Sequence, residues 1–368
     1  MATKKNEYNP ETVSHPGLTL GEKLIEIGMS IKAFALRSGK PEKTIIGIIE
    51  GSSSITSDMA VQFESVLKIP ANFWLKRQRS YDESLSRLKR LEVIEGAYAW
   101  ARSFPYAKMA SEGWVIRTSK VEEKVVALFD FFGVANAKAW EDYYYSAKLK
   151  VDFRISLKQT QESYAVSAWL RRGEIQAAQI IIPTYDEKKL KQTLPLIKVL
   201  MAEHPDNFFE KLQSLCFNCG VKVVYTPNLP KAPIHGSTRW INGTPILQLS
   251  ARYRQNDRFW FTFFHEIGHI ILHGTKYISI ENVDYADRDA SKEQEADDFA
   301  IDWTFSEKEE AEILQYATDE GALNEEDVLA FAEKFGTHPA MIIGRFQHKG
   351  KIAYNTGRMF MKKVDLAS

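Results

Sequence analysis

Apolar residues recur at helical spacing along most of this chain and at alternating positions along little of it. Between Leu18 and Gly28, the residues Leu20, Leu24 and Ile27 fall on one face and Gly28 supplies a stop. Ser30 caps a short helix from Ile31 to Ser38, Gly39 and Lys40 make a turn, and Pro41 opens a third helix to Glu50, ended by Gly51. The inner face of that third helix is Ile45, Ile48 and Ile49. Ser57 caps a fourth helix through Leu67, and Pro70 begins another carrying Phe73, Trp74 and Leu75. Short helices with a glycine turn between the second and third predict a helix-turn-helix bundle. From Ser84 to about Asn207 the pattern stays helical and rich in aromatics, among them Tyr98, Trp100, Trp114, Phe129, Phe131, Phe132, Trp140, Tyr143, Tyr144, Tyr145 and Trp169. Aromatic stripes at that spacing predict core rather than a ligand cage. Beyond Asn207 the periods mix, with a helix at Phe208 to Cys216 and β-branched, apolar strands at Val221–Tyr225 and Ile246–Ser250. Helices follow at Glu325–Phe335 and Pro339–Phe346. The expected architecture is mainly α with a small β-sheet: a helix-turn-helix bundle at 14–85, a helical middle region at 86–205 and an α+β domain at 206–348.

One helix in the last region is apolar almost all round, which marks it as buried. It runs through Phe259 to His273 and contains His265-Glu266-Ile267-Gly268-His269, an HExxH pattern. Positions four apart share a helix face, so both imidazoles reach one ion, and Glu266 beside them is placed to take a proton from a metal-bound water. Polar groups on a buried helix need partners, and a zinc ion supplies one. Catalytic zinc takes three protein ligands and keeps a fourth position open. The third ligand is sought in the next acidic helical stretch, Ser291 to Ala300, whose Ala296, Phe299 and Ala300 form a small packing face. Glu295 adjoins that face and is the first choice, with Glu293 second; Asp298 or Asp297 is expected to hold a histidine tautomer. His273 follows His269 by one turn and reads as a packing histidine near the ligands. His235, Arg239 and His348 are candidates for stabilising an oxyanion, and Ile246–Ser250 is the candidate sheet edge along which an extended peptide would add.

HEIGHIILH followed by EQEADDFA resembles the ImmA/IrrE family of zinc metallopeptidases, and the likeness continues upstream through His235 to Trp240 and Pro245 to Ser250. The resemblance implies a zincin-like domain in which His265, His269 and Glu295 bind zinc and Glu266 is the catalytic acid/base. It also implies that the substrate is a transcriptional repressor, cut in response to stress or phage-related signals. Residues 14–85 are similar to HigA-type antitoxins, a branch of the lambda-repressor-like domains. Their recognition helix would be Pro41–Glu50, with Lys40, Lys43, Thr44 and Gly47 as the DNA-facing candidates. Where that family has a cap serine this chain has Pro41, and Ile46 and Glu50 replace a usual serine and asparagine, which weakens phosphate binding.

Composition narrows the picture in two ways. Lys+Arg and Asp+Glu balance at 48 each in 368 residues, so DNA contact must come from a local patch. No run approaches a membrane span and the start lacks an apolar signal region, so no membrane partner is expected and the cytoplasm is the expected location. The two cysteines, Cys216 and Cys219, lack a second pair to complete a sulfur site and read as reduced thiols. The expected function is a zinc endopeptidase coupled to a repressor-like DNA-binding domain. The alternative is an antitoxin or autoregulator that binds a toxin and its own promoter, with the zinc domain structural or sensory. A homodimer is expected because helix-turn-helix domains generally pair.

Overall fold

A computed structural model describes residues 13–147, 163–232, 234–250, 255–276, 279–280, 289–320, 323–364 and 366. The loose terminus expected before Pro16 lies mostly outside them, as do residues 148–162 of the expected middle region and the Tyr145 side chain. The chain divides after Gly96 into two compact units.

The first unit holds α1 (Pro16–Glu26), α2 (Ile31–Ser38), α3 (Glu42–Ile49), α4 (Ser57–Leu67) and α5 (Ala71–Gly96). Ser30 Oγ accepts the Ala33 N–H at 3.2 Å and starts α2. Gly39 ends it in the left-handed region at φ 65°, turning the chain into α3. Thr56, not Ser57, caps α4 by accepting from Met59 N. Leu20, Leu24, Phe34, Ile45, Ile48, Phe63 and Trp74 close the core. Ile27 falls past the end of α1 and is exposed. Gly17 lets α1 meet α3, since a Cβ there would fall 1.6 Å from the Ile48 carbonyl oxygen.

The second unit begins with α6 (Tyr98–Arg102), α7 (Tyr106–Ser111), α8 (Val121–Phe132) and α9 (Ala137–Trp140), then α10 (Ser163–Ala178), α11 (Glu187–Glu203) and α12 (Phe208–Asn218). Aromatics of α6, α8 and α9 interlock: Trp100 sits 5.2 Å from Phe129 and 5.8 Å from Trp140 between ring centres. These rings are core, and they belong to the same compact unit as the C-terminal helices.

A four-stranded sheet follows in the order β1-β3-β2-β4, with β1 at Lys222–Tyr225, β2 at Gly236–Ile241, β3 at Thr244–Leu249 and β4 at Ser279–Ile280. β1 runs parallel to β3, and β2 pairs antiparallel with both β3 and β4. Asn242 (φ 51°) and Gly243 (φ 76°) make the two-residue turn between β2 and β3. Both positions need positive φ in the turn whose twist suits a hairpin, which is why Asn-Gly stands there. Ile246–Ser250, expected as an edge, is therefore an inner strand with both flanks paired.

The sheet lies between two helical layers, and alternation along the strands decides what each side sees. Trp240, Leu247 and Leu249 join the main core with Phe259, Trp260, Phe263 and Phe264 of α13 (Asn256–Gly268). Ile246 and Val224 face the other way, to Ala177 of α10. The remaining helices are α14 (Ala290–Thr304), α15 (Glu307–Glu320), α16 (Glu325–Phe335) and α17 (Pro339–His348). Among the described residues no helix is long and apolar enough to cross a membrane.

Candidate metal centre

Helix α13 is buried along its whole second half, His265 and Glu266 included. After Gly268 it widens into a π-wound turn, His269–His273. Gly268 allows α14 close approach: a Cβ there would meet the Phe299 ring at 3.2 Å. The outcome is a convergence of His265, His269 and Glu293, whose ligand atoms all lie within 4.8 Å of one another. His265 Nε2 is 3.0 Å from His269 Nε2. Glu293 Oε2 is 3.7 Å from the first and Oε1 3.5 Å from the second. All three side chains are nearly shut off from solvent.

The acid that the fold brings to the histidines is Glu293, not Glu295. Glu293, Ala296, Asp297 and Ala300 stand at i, i+3, i+4 and i+7 and form one stripe of α14. Glu295 is rotated off that stripe and is exposed; its carboxylate meets the outer histidine, His273, at 3.2 Å from Nε2. The tautomer-holding carboxylate is Asp297, whose Oδ1 lies 2.8 Å from His265 Nδ1. Asp298 points to solvent and accepts from Gln294 Nε2. His273 is placed by the π turn with Nδ1 2.9 Å from His269 Nδ1.

The donor set suits zinc, which binds imidazole nitrogen and carboxylate oxygen. Bonds of about 2.0–2.1 Å in a tetrahedron imply ligand–ligand edges of roughly 3.3 Å, and the three measured edges of 3.0, 3.5 and 3.7 Å bracket that value. The proton positions agree. Asp297 can only accept, so the neutral His265 ring carries its proton on Nδ1 and turns the Nε2 lone pair toward His269 Nε2 and Glu293. Electron-rich atoms gathered so closely away from water call for a cation.

Glu266 follows His265 on the same helix and is fully buried. Its carboxylate lies under the start of β2, where a Cβ on Gly236 would fall 2.8 Å from Glu266 Oε1 and 2.8 Å from Thr262 Cγ2. Thr238 Oγ1 donates to the Glu266 carbonyl at 3.0 Å and pins the strand to the helix. Nothing in the sequence alone pointed to Gly236 as a wall of the site.

Of the oxyanion candidates, Arg239 does not join this group. Arg239 faces the opposite side of the sheet and is buried, giving hydrogen bonds to the Leu170 carbonyl and to Gln248 Oε1, with Glu174 at 3.7 Å. Burial pulls its pKa down to about 10, with Glu174 pulling it back up. It braces α10 to the sheet. His348 is exposed in the last turn of α17. His235 is half-buried next to Gly236, and its carbonyl accepts from Ser250 N.

In the first unit, Lys40 is held by Asp58 at 2.5 Å. Gly47 is buried against Ser52 and Ser53, where a Cβ would fall 2.8 Å from Ser53 Oγ, so it faces the following turn and offers no surface to DNA. Lys43 is exposed and Thr44 half-exposed, flanked by the exposed acids Glu42 and Glu50. Cys216 and Cys219 are both buried free thiols, and burial pushes the Cys216 thiol up.

Residues 217–345 match the family model described as the IrrE N-terminal-like domain, Peptidase_M78. The match spans β1 to α17 and so contains the whole His265–His269–Glu293 group. Among solved structures, a HigA-family addiction module antidote protein from Coxiella burnetii shows 30% identity over 23% of this chain and 92% of its own, with a TM-score of 0.22. The Pseudomonas aeruginosa antitoxin HigA, solved with the higBA promoter, shows 27% identity over 23% of this chain and 94% of its own, with a TM-score of 0.22. No curated protein matches the chain.

Proposed function

We propose that the second unit is a zinc endopeptidase in which His265, His269 and Glu293 hold the metal and Glu266 is the catalytic acid/base. The observation that carries this reading is the buried triangle of two imidazole Nε2 atoms and one carboxylate, with Glu266 one residue along the same helix. Zinc held there would act as Lewis acid on a peptide carbonyl and acidify a bound water. Glu266 receives the water's proton on a carboxylate oxygen as the oxygen adds to the carbonyl carbon, then delivers it to the leaving amide nitrogen. Asp297 keeps the His265 proton on Nδ1 throughout. Gly236 keeps the space beside the Glu266 carboxylate clear of a side chain. A substrate strand adding to this sheet has to use a flank other than those of β3, which are both occupied.

The substrate class we propose is a transcriptional repressor, supported by the family match and by the helix-turn-helix layout of the first unit. Glu266→Gln should bind zinc as the wild type does and lower hydrolysis by roughly 10²–10⁴-fold. New protein N-termini in cells expressing the wild type should vanish in cells expressing Glu266→Gln. Termini that persist in the variant would overturn the assignment.

A second reading concerns the first unit, where the α2–Gly39–α3 turn supports DNA contact. With Lys40 held by Asp58, the positive charge on α3 comes from Lys43 alone, so such binding is weak and its salt slope shallow, because that slope scales with the number of phosphates neutralised. A gel-shift series in salt should lose about one unit of slope in Lys43→Ala. Tight binding indifferent to that change would exclude α3 as the reader.

A further inference from the structure

We infer that His273 and Glu295 are positioning residues for His269: a two-bond relay by which a surface carboxylate fixes the proton of a buried ligand histidine. The inference rests on the zinc reading above. His273 Nε2 lies 3.2 Å from Glu295 Oε2, and a carboxylate only accepts, so the neutral His273 ring carries its proton on Nε2. Its Nδ1 is then an acceptor. The atom 2.9 Å from it is His269 Nδ1, which must supply the proton. Both tautomers follow from one carboxylate, and the His269 Nε2 lone pair is directed at His265 and Glu293.

The helix geometry is built for this contact. An α-helix turns a residue four places on by about 40° beyond a full circle, so a third histidine at the next four-residue step would drift off the line of the first two. Winding His269–His273 as a π turn puts more residues in the turn and cancels the drift. The ring of His273 thus sits 5.1 Å from that of His269, and its side chain is only 4% exposed although it lies at the outer end of the helix. Glu295 is 55% exposed and is further approached by Ser291 Oγ at 3.5 Å. The two ligand histidines are therefore fixed by different devices, His265 by a carboxylate in direct contact and His269 by a carboxylate one ring away.

The test is a zinc competition titration of the full-length, metal-stripped protein against a chromophoric chelator at neutral pH. His273→Leu should weaken zinc binding about 10–100-fold, and Glu295→Leu about tenfold. His273→Gln, whose amide oxygen can accept the His269 proton, should recover most of the affinity, and Asp298→Asn should match the wild type. Melting temperatures of the metal-free proteins separate these effects from loss of fold. If Glu293→Gln loses zinc while His273→Leu binds it as tightly as wild type, the relay is overturned and the zinc site stands. If Glu293→Gln binds as the wild type does, the zinc reading itself falls. Nitrogen-15 spectra of the zinc-loaded wild type give an independent readout: protons on His269 Nδ1 and His273 Nε2 are expected, and a proton on His273 Nδ1 would overturn the relay without any variant.

Discussion

Two positions separate Glu293 from Glu295, and the helix makes them opposites. Glu293 shares its stripe with Ala296 and Ala300 and is buried at the histidines, whereas Glu295 projects outward to His273. A single step, about 100° of helix, separates Asp297 from Asp298. Asp297→Leu, which removes the acceptor beside His265 Nδ1, should weaken zinc binding about 10–100-fold, whereas Asp298→Asn should leave it unchanged; chelator competition distinguishes them. Arg239 is a residue of another kind. Its guanidinium is buried with Glu174, Gln248 and the Leu170 carbonyl, far from the role in oxyanion binding that its place in the sequence suggested. Arg239→Met leaves Glu174 with its closer partner Arg171 at 3.0 Å but takes the donor from the Leu170 carbonyl and Gln248 Oε1, and should cost about 1–3 kcal/mol of stability, read from urea unfolding of the metal-free protein. A variant as stable as wild type with reduced hydrolysis would restore Arg239 to the active site.

At the level of elements, two glycines set the distances between layers. Gly173 of α10 faces Gln248, where a Cβ would fall 2.1 Å from Oε1. Gly173→Ala should therefore push α10 off the sheet and cost about 1–3 kcal/mol, with zinc binding retained because the metal helices lie on the other face. Gly236→Ala acts on the metal side: its methyl group meets Glu266 Oε1 and Thr262, so hydrolysis should drop while zinc content holds. Loss of zinc in that variant would mean that the strand supports the ligands rather than the base. Much of this architecture was legible in the sequence because its signals are local. HExxH needs one helix, and the caps and glycine stops of the first unit lie within a few residues of what they terminate. Gly236–Ile241 is not among the strands expected from the sequence, although Asn242-Gly243 is equally local, since Gly, Ser, Thr and Arg hide a strand with two buried faces. The order β1-β3-β2-β4 and the pairing of Arg239 with Glu174 join positions far apart in sequence, and no short-range pattern encodes them.

Over the whole molecule the charges cancel, so stability against pH is decided by a few buried groups. His204 at the end of α11 accepts from Trp260 Nε1 of α13 at 3.0 Å, and His338 accepts from Ala340 N at the start of α17 at 3.1 Å. Their rings lie 5.7 Å apart, tying three helices of the second unit together. Burial brings both pKa values down to about 4, with Lys362 pushing the same way on each and His204 on His338. In the unfolded chain each returns to an ordinary value of about 6.5. Between those limits the unfolded state binds protons that the folded state refuses, so the stabilisation is fully present above about pH 6.5 and is lost as pH falls toward 4. For the pair the loss is on the order of a few kcal/mol. Urea midpoints of the metal-free protein at pH 7 and pH 5 should differ accordingly. His204→Gln keeps an acceptor for Trp260 but cannot titrate, so its midpoints should lie closer together than those of the wild type. An unchanged difference would mean that other groups set the acid limit of the fold.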